Sequence, residues 1–194
     1  MRIVLASKSG VRKEILKKNN IDCDVEPSNV DEDEVKAAML NENATPTLIS
    51  KNLAELKANK VSNKNPDRIV LGADSVIDFQ GELISKPKSR QEALEILIKL
   101  NGKKHQLISS VCISKNGAMI WNYTDASSLT MKELNLDQIR SYLQKVDNKK
   151  LYAYGVYQIE SGGKDLFLKI DGEEDSIMGL PIKKIKEYLN NLKW

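Results

Sequence analysis

The sequence predicts a mixed α/β fold. A short apolar strand, a helix and a second strand follow one another within the first 26 residues, and later apolar runs alternate between strand and helix spacing. The 194 residues include 41% hydrophobic and 29% charged side chains, which is typical of a globular chain with a sizeable core. Because no repeat, low-complexity tract or interdomain linker interrupts the pattern, we expect one domain spanning residues 1–194.

The first third of the chain contains five predicted elements. The uninterrupted apolar run 3–6 indicates a buried strand, whereas Ile15 and Leu16 follow helical spacing. Thr45 is suited to cap a helix, and Pro46 fits the first helical position. The predicted elements are strands over 3–6 and 23–26 and helices over 10–18, 32–40 and 46–61.

Two further strands are predicted on either side of Asp74. A predicted strand over 68–72, which contains the apolar run 69–71, precedes this residue, and a predicted strand over 76–79 follows it. Because Gly72 and Ala73 are small, we expect Asp74 at the end of a buried strand, beside space for a ligand. An aspartate that merely initiates a turn explains the pattern equally well, so both interpretations stand at this point.

The second half of the chain continues the alternation of strands and helices. Ser89 and Glu92 form a capping-box pattern before a helix over 93–100, and Asn116-Gly117 is a strong hairpin signal. The remaining predicted elements are strands over 105–114, 118–130 and 166–170 and helices over 136–146 and from about residue 181.

Composition excludes several classes of protein. The 30 basic and 27 acidic side chains give a formal charge of +3, which is too balanced to indicate a nucleic-acid or membrane surface. Cys23 and Cys112 lack neighbours with metal-ligand spacing and are expected to pack as small apolar residues. Since no apolar signal core or membrane-length segment is present, we expect a cytoplasmic protein.

The start of the first helix has the composition of an anion site. Ser7, Ser9 and Gly10 lead from the first strand into a helix that carries Arg12. Helix starts present unpaired N–H groups and a positive partial charge, so these hydroxyls and the guanidinium are able to hold a phosphate. Ser9 is also suited to an ordinary N-cap, and local sequence alone favours this capping interpretation over a phosphate site.

Two lysines are further candidates for phosphate binding. Lys57 adjoins the apolar stripe of the third predicted helix, and Lys86 follows the predicted turn at Gln80-Gly81. A lysine in such a position can bind phosphate oxygens, although more often its stem covers apolar surface while the amine reaches water.

Taken together, segments along nearly the whole chain resemble the Maf family of nucleoside triphosphate pyrophosphatases. Their order matches the family's order, which is more specific than any single motif. The matching segments are residues 5–12, 27–32, 53–58, 72–76, 85–87, 100–102 with His105, and 179–181.

This resemblance implies an inosine-triphosphatase-like fold, with a long twisted sheet flanked by helices and a cleft between two lobes. It implies hydrolysis between the α- and β-phosphates of a nucleotide, with Asp74 as proton acceptor. Arg12, Lys57 and Lys86 match the family's phosphate-binding positions, with Ser7 and Ser9 beside them. The resemblance also implies a homodimer. A nucleotide-binding regulatory protein of septum formation with weak catalysis is the alternative function.

The reaction implied by the resemblance includes a divalent metal ion, Mg²⁺ or Mn²⁺. These hard ions bind through one or two carboxylates together with substrate phosphates. Asp74 and Glu32 are the candidate metal ligands, although Glu32 also fits a charged helix start between Asp31 and Asp33.

The substrate branch is predicted from three positions. The branch of the family that acts on dTTP and UTP carries an arginine where this chain has Val11. Glu160 matches the glutamate of the 7-methyl-GTP branch, and a carboxylate can accept two hydrogen bonds from the edge of a guanine. Ser75 is nearer to the threonine of the pyrimidine branch. We give Val11 and Glu160 more weight and expect a chain closer to the 7-methyl-GTP branch; without the resemblance, Glu160 is an exposed loop acid.

Overall fold

The computed structural model describes residues 2–159 and 162–192, which contain seven strands and eight helices. The strands are β1 (Arg2–Leu5), β2 (Asp22–Val25), β3 (Val70–Phe79), β4 (Glu82–Ile84), β5 (Lys104–Lys115), β6 (Ala118–Met131) and β7 (Phe167–Asp171). The helices are α1 (Gly10–Lys18), α2 (Glu32–Asn41), α3 (Pro46–Ser62), α4 (Arg90–Leu100), α5 (Leu136–Lys145), α6 (Asn148–Tyr154), α7 (Glu174–Ile177) and α8 (Ile182–Asn191).

The strands form one mixed sheet in the order β2-β1-β3-β5-β6-β7, with β4 added beside β3. β1 pairs in parallel with β2 and β3, whereas the other pairs are antiparallel. The β5–β6 hairpin turns at Asn116-Gly117, as predicted. The predicted mixed α/β fold is thus confirmed.

A gap in the sheet opens beside the middle of β3. One edge of β3 pairs with β5 from Val70 to Asp78. The other edge pairs with β1 only at Val70 and Leu71, and with β4 only from Ile77 to Phe79. Among the seven described strands, none pairs with residues 72–76 on this edge, which leaves room there for side chains and a ligand.

This geometry corrects the prediction of two strands around Asp74. β3 is one continuous strand, and Asp74 lies in its middle rather than at a strand end. The expectation of space beside Asp74 nevertheless has a physical basis, because the parallel pairing with β1 ends at Leu71. Local sequence does not reveal that β5 supports the strand across this position.

Helix α3 packs unusually close to β3. A Cβ atom on Gly72 would lie 2.3 Å from the carbonyl oxygen of Ala54 and 2.7 Å from the amide nitrogen of Ala58. Glycine is therefore required at this crossing, and the small alanines of α3 face it. This close approach brings Lys57, beside Ala58, to the gap in the sheet.

Two hydrophobic cores flank the gap. The first core joins β1 and α1 to the C-terminal helix and includes Leu5, Leu16 and Ile185. The second core joins α4, α5 and the end of β6 and includes Leu97 and Leu129. The two cores form the two lobes expected from the family resemblance, and the open space between them is the cleft.

Most predicted helices lie within a few residues of their observed bounds, but several details were wrong. Helix α4 begins at Arg90 because Ser89 caps it, and the carboxylate of Glu92 accepts from the amide of Lys88 rather than completing a capping box. The last strand begins one residue later than predicted. Strand β4, the helices α6 and α7, and a 3₁₀ turn at Gly163–Leu166 were not predicted.

Two observations concern the excluded classes of protein. Over residues 2–159 and 162–192, no helix has the length and apolar character needed to cross a membrane. Cys23 and Cys112 are free thiols, and Cys112 is buried as expected.

Candidate active site

The cleft has a volume of about 380 Å³, within the range of about 300–1,000 Å³ that is typical of small-molecule sites. It lies over the gap beside β3. The predicted site residues that line it are Ser7, Ser9, Arg12, Glu32, Lys57, Asp74 and Lys86. Glu160 lies outside the described residues.

Arg12 is fixed in the gap by contacts that include four oxygen acceptors among the described residues. Its Nη1 atom donates to the carbonyl of Ala73 at 2.9 Å and to Ser7 Oγ at 3.3 Å. Its Nε donates to the carbonyl of Gly179 at 3.0 Å, and its Nη2 donates to Ser75 Oγ at 3.1 Å. The guanidinium thus donates to a β3 carbonyl at the edge where no described strand pairs with β3. Its several contacts hold it in one orientation.

The two serines at the helix start have different tasks. Ser9 is the N-cap of α1, since its Oγ accepts from the amide of Arg12 at 3.3 Å. Ser7 Oγ accepts from the amide of Ser9 at 3.2 Å as well as from Arg12. The capping interpretation of Ser9 is confirmed, and both hydroxyls still border the cleft.

A buried chain of charges crosses the base of the cleft. Lys57 Nζ lies 2.7 Å from Asp74 Oδ1 and 2.7 Å from Glu32 Oε1. Lys57 and Asp74 are 6% and 4% exposed, so the interpretation that the lysine amine reaches water is wrong. A buried ammonium between two carboxylates is tolerated because each charge has a close partner of opposite sign.

Glu32 is held in its charged form. Burial by itself raises the pKa of Glu32, but Lys57, Lys86 and Lys36 together lower it to about 2. Its neighbour Asp31 caps α2 by accepting from the amide of Glu34 at 3.0 Å. The first turn of α2 is therefore acidic, as the alternative interpretation expected. Glu32 nevertheless also lines the cleft.

The second oxygen of Asp74 makes this site suitable for a cation. Within the described part of the chain, Oδ2 of Asp74 is buried without a hydrogen-bond partner, although buried carboxylate oxygens are normally satisfied. Two carboxylates together with substrate phosphates are a common ligand set for Mg²⁺ and Mn²⁺. No group of three or more His, Cys, Asp or Glu side chains among the same residues is placed to hold a metal. Asp74 and Glu32 therefore fit an ion that phosphate oxygens help to bind.

One cleft residue, Lys36, and one buried residue that contacts Asp74, Ser50, were absent from the sequence prediction. Lys36 lines the cleft one helical turn after Glu32 on α2, a spacing that the sequence does contain. Ser50 on α3 is completely buried and donates to the carbonyl of Asp74 at 3.2 Å. Nothing in the sequence near Ser50 indicates this contact, because it joins residues that are far apart in the chain.

Lys86 is exposed in the mouth of the cleft. The surrounding protein lowers its pKa, chiefly because it removes water from the ammonium group. Glu32 and Asp74 oppose this effect, whereas Arg12 and Lys57 add to it. The amine is nevertheless open to an anion that enters from solvent.

The far wall of the cleft is largely apolar and belongs to the second lobe. It includes Ile77, Leu107, Val156 and Ile159. Tyr157 also lines this wall, but it is 8% exposed and packs edge-on against Phe167. A buried histidine supports it, since His105 Nε2 lies 2.8 Å from the Tyr157 hydroxyl oxygen. The side chain of Tyr157 thus has a packing role.

Comparison with known proteins agrees with this architecture. The protein described as "Nucleoside triphosphate pyrophosphatase" from Pelagibacter ubique (strain HTCC1062) is 66% identical over 191 residues, which cover 98% of both chains. The "7-methyl-GTP pyrophosphatase" of Brucella abortus biovar 1 (strain 9-941) is 37% identical over 193 residues, covering 100% of this chain and 97% of the relative.

A solved structure supports the fold class. The Staphylococcus aureus Ham1 protein superimposes with a TM-score of 0.51 at 14% identity, covering 100% of both chains. This likeness concerns the fold alone and confirms the expected mixed α/β architecture. The family model described as "Maf-like protein" matches residues 2–192. On that match and on the identity of its relatives, the chain belongs to the Maf family.

Proposed function

We propose that this Maf-family pyrophosphatase hydrolyses the α–β phosphate bond of a nucleoside triphosphate in a metal-dependent reaction. The oxygen of water forms a bond to the α-phosphorus, and the bond from that phosphorus to the bridging oxygen breaks. The products are a nucleoside monophosphate and pyrophosphate. Removal of the substrate from the nucleotide pool is the corresponding cellular role.

The observation that carries the proposal is the buried carboxylate of Asp74, with one oxygen held by Lys57 and the other without a partner among the described residues. A carboxylate in this state is oriented but still able to bind a cation or accept a proton. Asp74 lines the cleft at the gap beside β3, which supports contact with a bound substrate. We assign Asp74 as proton acceptor for the attacking water and as metal ligand.

The cations of the cleft neutralise the phosphate chain. Phosphoryl transfer depends mainly on positioning and on charge stabilisation, so fixed positive groups around the phosphates favour the reaction. Arg12 is held rigidly by protein oxygens and presents its charge to the cleft from one direction. Lys57 and Lys86 add charge at the base and at the mouth, while Ser7 and Ser9 border the same phosphates.

Asp74 and Glu32 would hold the divalent ion. When bound, a divalent ion lowers the pKa of a coordinated water and neutralises phosphate charge. Lys57 contacts Oδ1 of Asp74 and Oε1 of Glu32, so Oδ2 of Asp74 and Oε2 of Glu32 are the oxygens proposed to bind the ion. The low pKa of Glu32 keeps this ligand ionised at any pH above about 3.

A modified guanine nucleotide of the 7-methyl-GTP type is the proposed substrate. Val11 supports this choice because it lines the cleft without adding the arginine expected for dTTP and UTP. Ser75 is only weak evidence for the pyrimidine branch. Its hydroxyl is already used in contacts with Arg12 and Ser109, at 3.1 and 3.0 Å. Its contacts thus orient Arg12. Glu160 remains part of the proposal as the residue that binds the base.

The test is product analysis in isotopically labelled water. Purified protein with Mg²⁺ or Mn²⁺ is given dTTP, UTP, GTP and 7-methyl-GTP in H₂¹⁸O, and the phosphate products are identified by mass spectrometry. We expect pyrophosphate without label, a labelled monophosphate, and the fastest turnover with 7-methyl-GTP. Label in pyrophosphate would contradict attack at the α-phosphorus, and faster turnover of dTTP and UTP would contradict the substrate assignment.

The proposal includes the homodimer expected from the family resemblance. Light scattering of the purified chain tests it directly. A mass near twice 21.8 kDa is expected, and a mass of one chain at all accessible concentrations would contradict the dimer.

A further inference from the structure

We propose that Lys36 binds the pyrophosphate portion of the substrate, an assignment that rests on the proposed function. Lys36 lies on α2, and its side chain is 12% exposed and lines the cleft. It is thus a largely buried cation aimed at the ligand space, and its ammonium group carries three N–H donors.

The donors of Lys36 are not used by the described part of the protein. Its Nζ lies 3.8 Å from Glu32 Oε2, which is an ion pair but is too long for a hydrogen bond. Lys36 donates no side-chain hydrogen bond to any residue within 2–159 or 162–192. A largely buried ammonium without hydrogen bonds is unfavourable unless a ligand supplies the acceptors.

The other buried cations of the cleft are engaged. Arg12 donates to four protein oxygens, and Lys57 contacts two carboxylates at 2.7 Å. A phosphate oxygen that approached either group would compete with these contacts. Lys36 can meet an incoming phosphate without such loss, as can the exposed Lys86 at the mouth.

A chain of contacts indicates which phosphates Lys36 reaches. From Lys36 it passes to Glu32 at 3.8 Å, then to Lys57 and Asp74 at 2.7 Å each. Beyond Asp74, β3 continues to Ile77 in the apolar wall of the cleft. Asp74 thus lies between Lys36 and the apolar wall in this series of neighbours. With the α-phosphorus at Asp74, the β- and γ-phosphates extend towards Lys36.

Lys36 has a second effect, because its charge helps to lower the pKa of Glu32. A lysine that acted only through Glu32 would influence metal binding but not the binding of phosphate in the absence of metal. Pyrophosphate binding with EDTA present therefore separates a direct phosphate contact from an effect on the metal site.

The test compares Lys36→Met and Lys36→Arg with Lys88→Met. Lys88 is an exposed lysine that pairs with Asp33 of α2 at 3.2 Å and does not line the cleft, so its loss removes the same charge from the same neighbourhood. Calorimetry measures binding of inorganic pyrophosphate and of a nucleoside monophosphate, both in EDTA. Circular dichroism and thermal unfolding establish that the variants fold.

We expect Lys36→Met to weaken pyrophosphate binding by roughly 10- to 100-fold, the loss typical of a hydrogen bond to a charged group. Monophosphate binding should be unchanged, Lys36→Arg should retain most of the affinity, and Lys88→Met should behave as wild type. Equal pyrophosphate affinity in Lys36→Met and wild type would overturn the assignment. Equal weakening of both ligands, or no pyrophosphate binding by the wild type, would overturn it as well.

These binding data, together with the hydrolysis assay in labelled water, separate this assignment from the proposed function. Absence of triphosphate hydrolysis by the wild type, with Lys36-dependent pyrophosphate binding intact, would reject the function but support Lys36 as an anion-binding residue. Normal hydrolysis with pyrophosphate binding that does not depend on Lys36 would reject only the assignment of Lys36.

Discussion

Lys57 donates a 2.7 Å hydrogen bond to Asp74, and both side chains are almost completely buried. The pair joins α3 to β3 at the point where Gly72 allows the helix and strand to approach closely. The same lysine contacts Glu32 of α2, so one ammonium group ties three separate elements together at the base of the cleft. Lys57 is therefore expected to stabilise the fold and, in the proposed function, to orient Asp74.

Removal of Lys57 should destabilise the protein strongly. Lys57→Met leaves Asp74 and Glu32 close together without their shared cation, and loss of one partner of a buried pair costs about 3–5 kcal/mol. Urea unfolding measures this loss. Lys51→Met, an exposed site on the same helix, is the control and should stay within about 0.5 kcal/mol of wild type.

The double variant Lys57→Met/Asp74→Asn sharpens this prediction. Because the side chain at position 74 is then neutral, it no longer repels Glu32. The double variant should therefore have a higher free energy of unfolding than Lys57→Met. A Lys57→Met protein as stable as wild type, or a double variant no more stable than Lys57→Met, would contradict the role of the buried charge chain.

Gly179 should control the orientation of Arg12. A Cβ atom at Gly179 would lie 3.1 Å from Arg12 Nε and 3.3 Å from Ser75 Oγ, and the backbone has a φ of +105°. Gly179→Ala should therefore displace the guanidinium and raise KM for the triphosphate by roughly tenfold. Steady-state kinetics measures this change.

Gly81→Ala is the matched control for Gly179→Ala. Gly81 has a φ of +87°, but a Cβ atom there would have no described atom beyond its chain neighbours within 4 Å. Both variants should lose about 1–2 kcal/mol of stability from the left-handed backbone, and only Gly179→Ala should change KM. Equal KM values in the two variants would show that strain alone, and not contact with Arg12, matters at Gly179.

The stability of the protein should fall as the pH decreases from 6.5 towards 4. His105 is the only histidine, and burial lowers its pKa from 6.5 to about 4 in the folded protein. The unfolded chain binds the proton more readily, so the contribution is complete above pH 6.5 and is lost as the pH falls. We expect a loss of roughly 1.5 kcal/mol between pH 6.5 and 5.

Denaturant unfolding at several pH values measures the effect of His105. His105→Gln should be less stable at neutral pH, because it alters the packing of Tyr157, but its stability should be nearly flat between pH 6.5 and 5. Glu32 does not interfere in this window, since its pKa is about 2 in the folded protein and its ordinary value is 4.5. An unchanged slope in the variant would assign the pH dependence to other groups.

Val11 should influence the choice of nucleotide. Val11→Arg supplies the residue of the dTTP and UTP branch at a position that lines the cleft, so the ratio of kcat/KM for dTTP to that for 7-methyl-GTP should rise. Gly10→Arg places the same group one residue earlier, outside the cleft lining, and should leave this ratio unchanged. Identical ratios in both variants would remove Val11 from the substrate assignment.

Helices with strong local signals were predictable from the sequence. The caps at Ser9 and Thr45 depend on contacts within three residues, and the helices that they begin lie close to the predicted bounds. Short elements with little apolar periodicity were missed. Strand β4 has three residues, and α6 begins with three polar ones, so neither presents a hydrophobic pattern of useful length.

The site residues were predictable as a set, but their contacts were not. Family motifs indicated Arg12, Lys57 and Asp74, yet the burial of Lys57 depends on carboxylates from two other elements. The continuity of β3 through Asp74 likewise depends on pairing with β5. Such long-range contacts leave no local pattern, which is also why Lys36 was not predicted although its spacing from Glu32 is visible.

The most direct measurement compares Asp74→Asn with Asp78→Asn in pyrophosphate release from 7-methyl-GTP over a range of Mn²⁺ concentrations. Asp78 lies on the same strand, accepts from the amide of Gly81 at 2.7 Å and does not line the cleft. We expect Asp74→Asn to lower kcat by about 10²- to 10⁴-fold at saturating metal, and Asp78→Asn to remain near wild type. Turnover by Asp74→Asn within tenfold of wild type, at the same metal requirement, would contradict the role of Asp74 as proton acceptor and metal ligand.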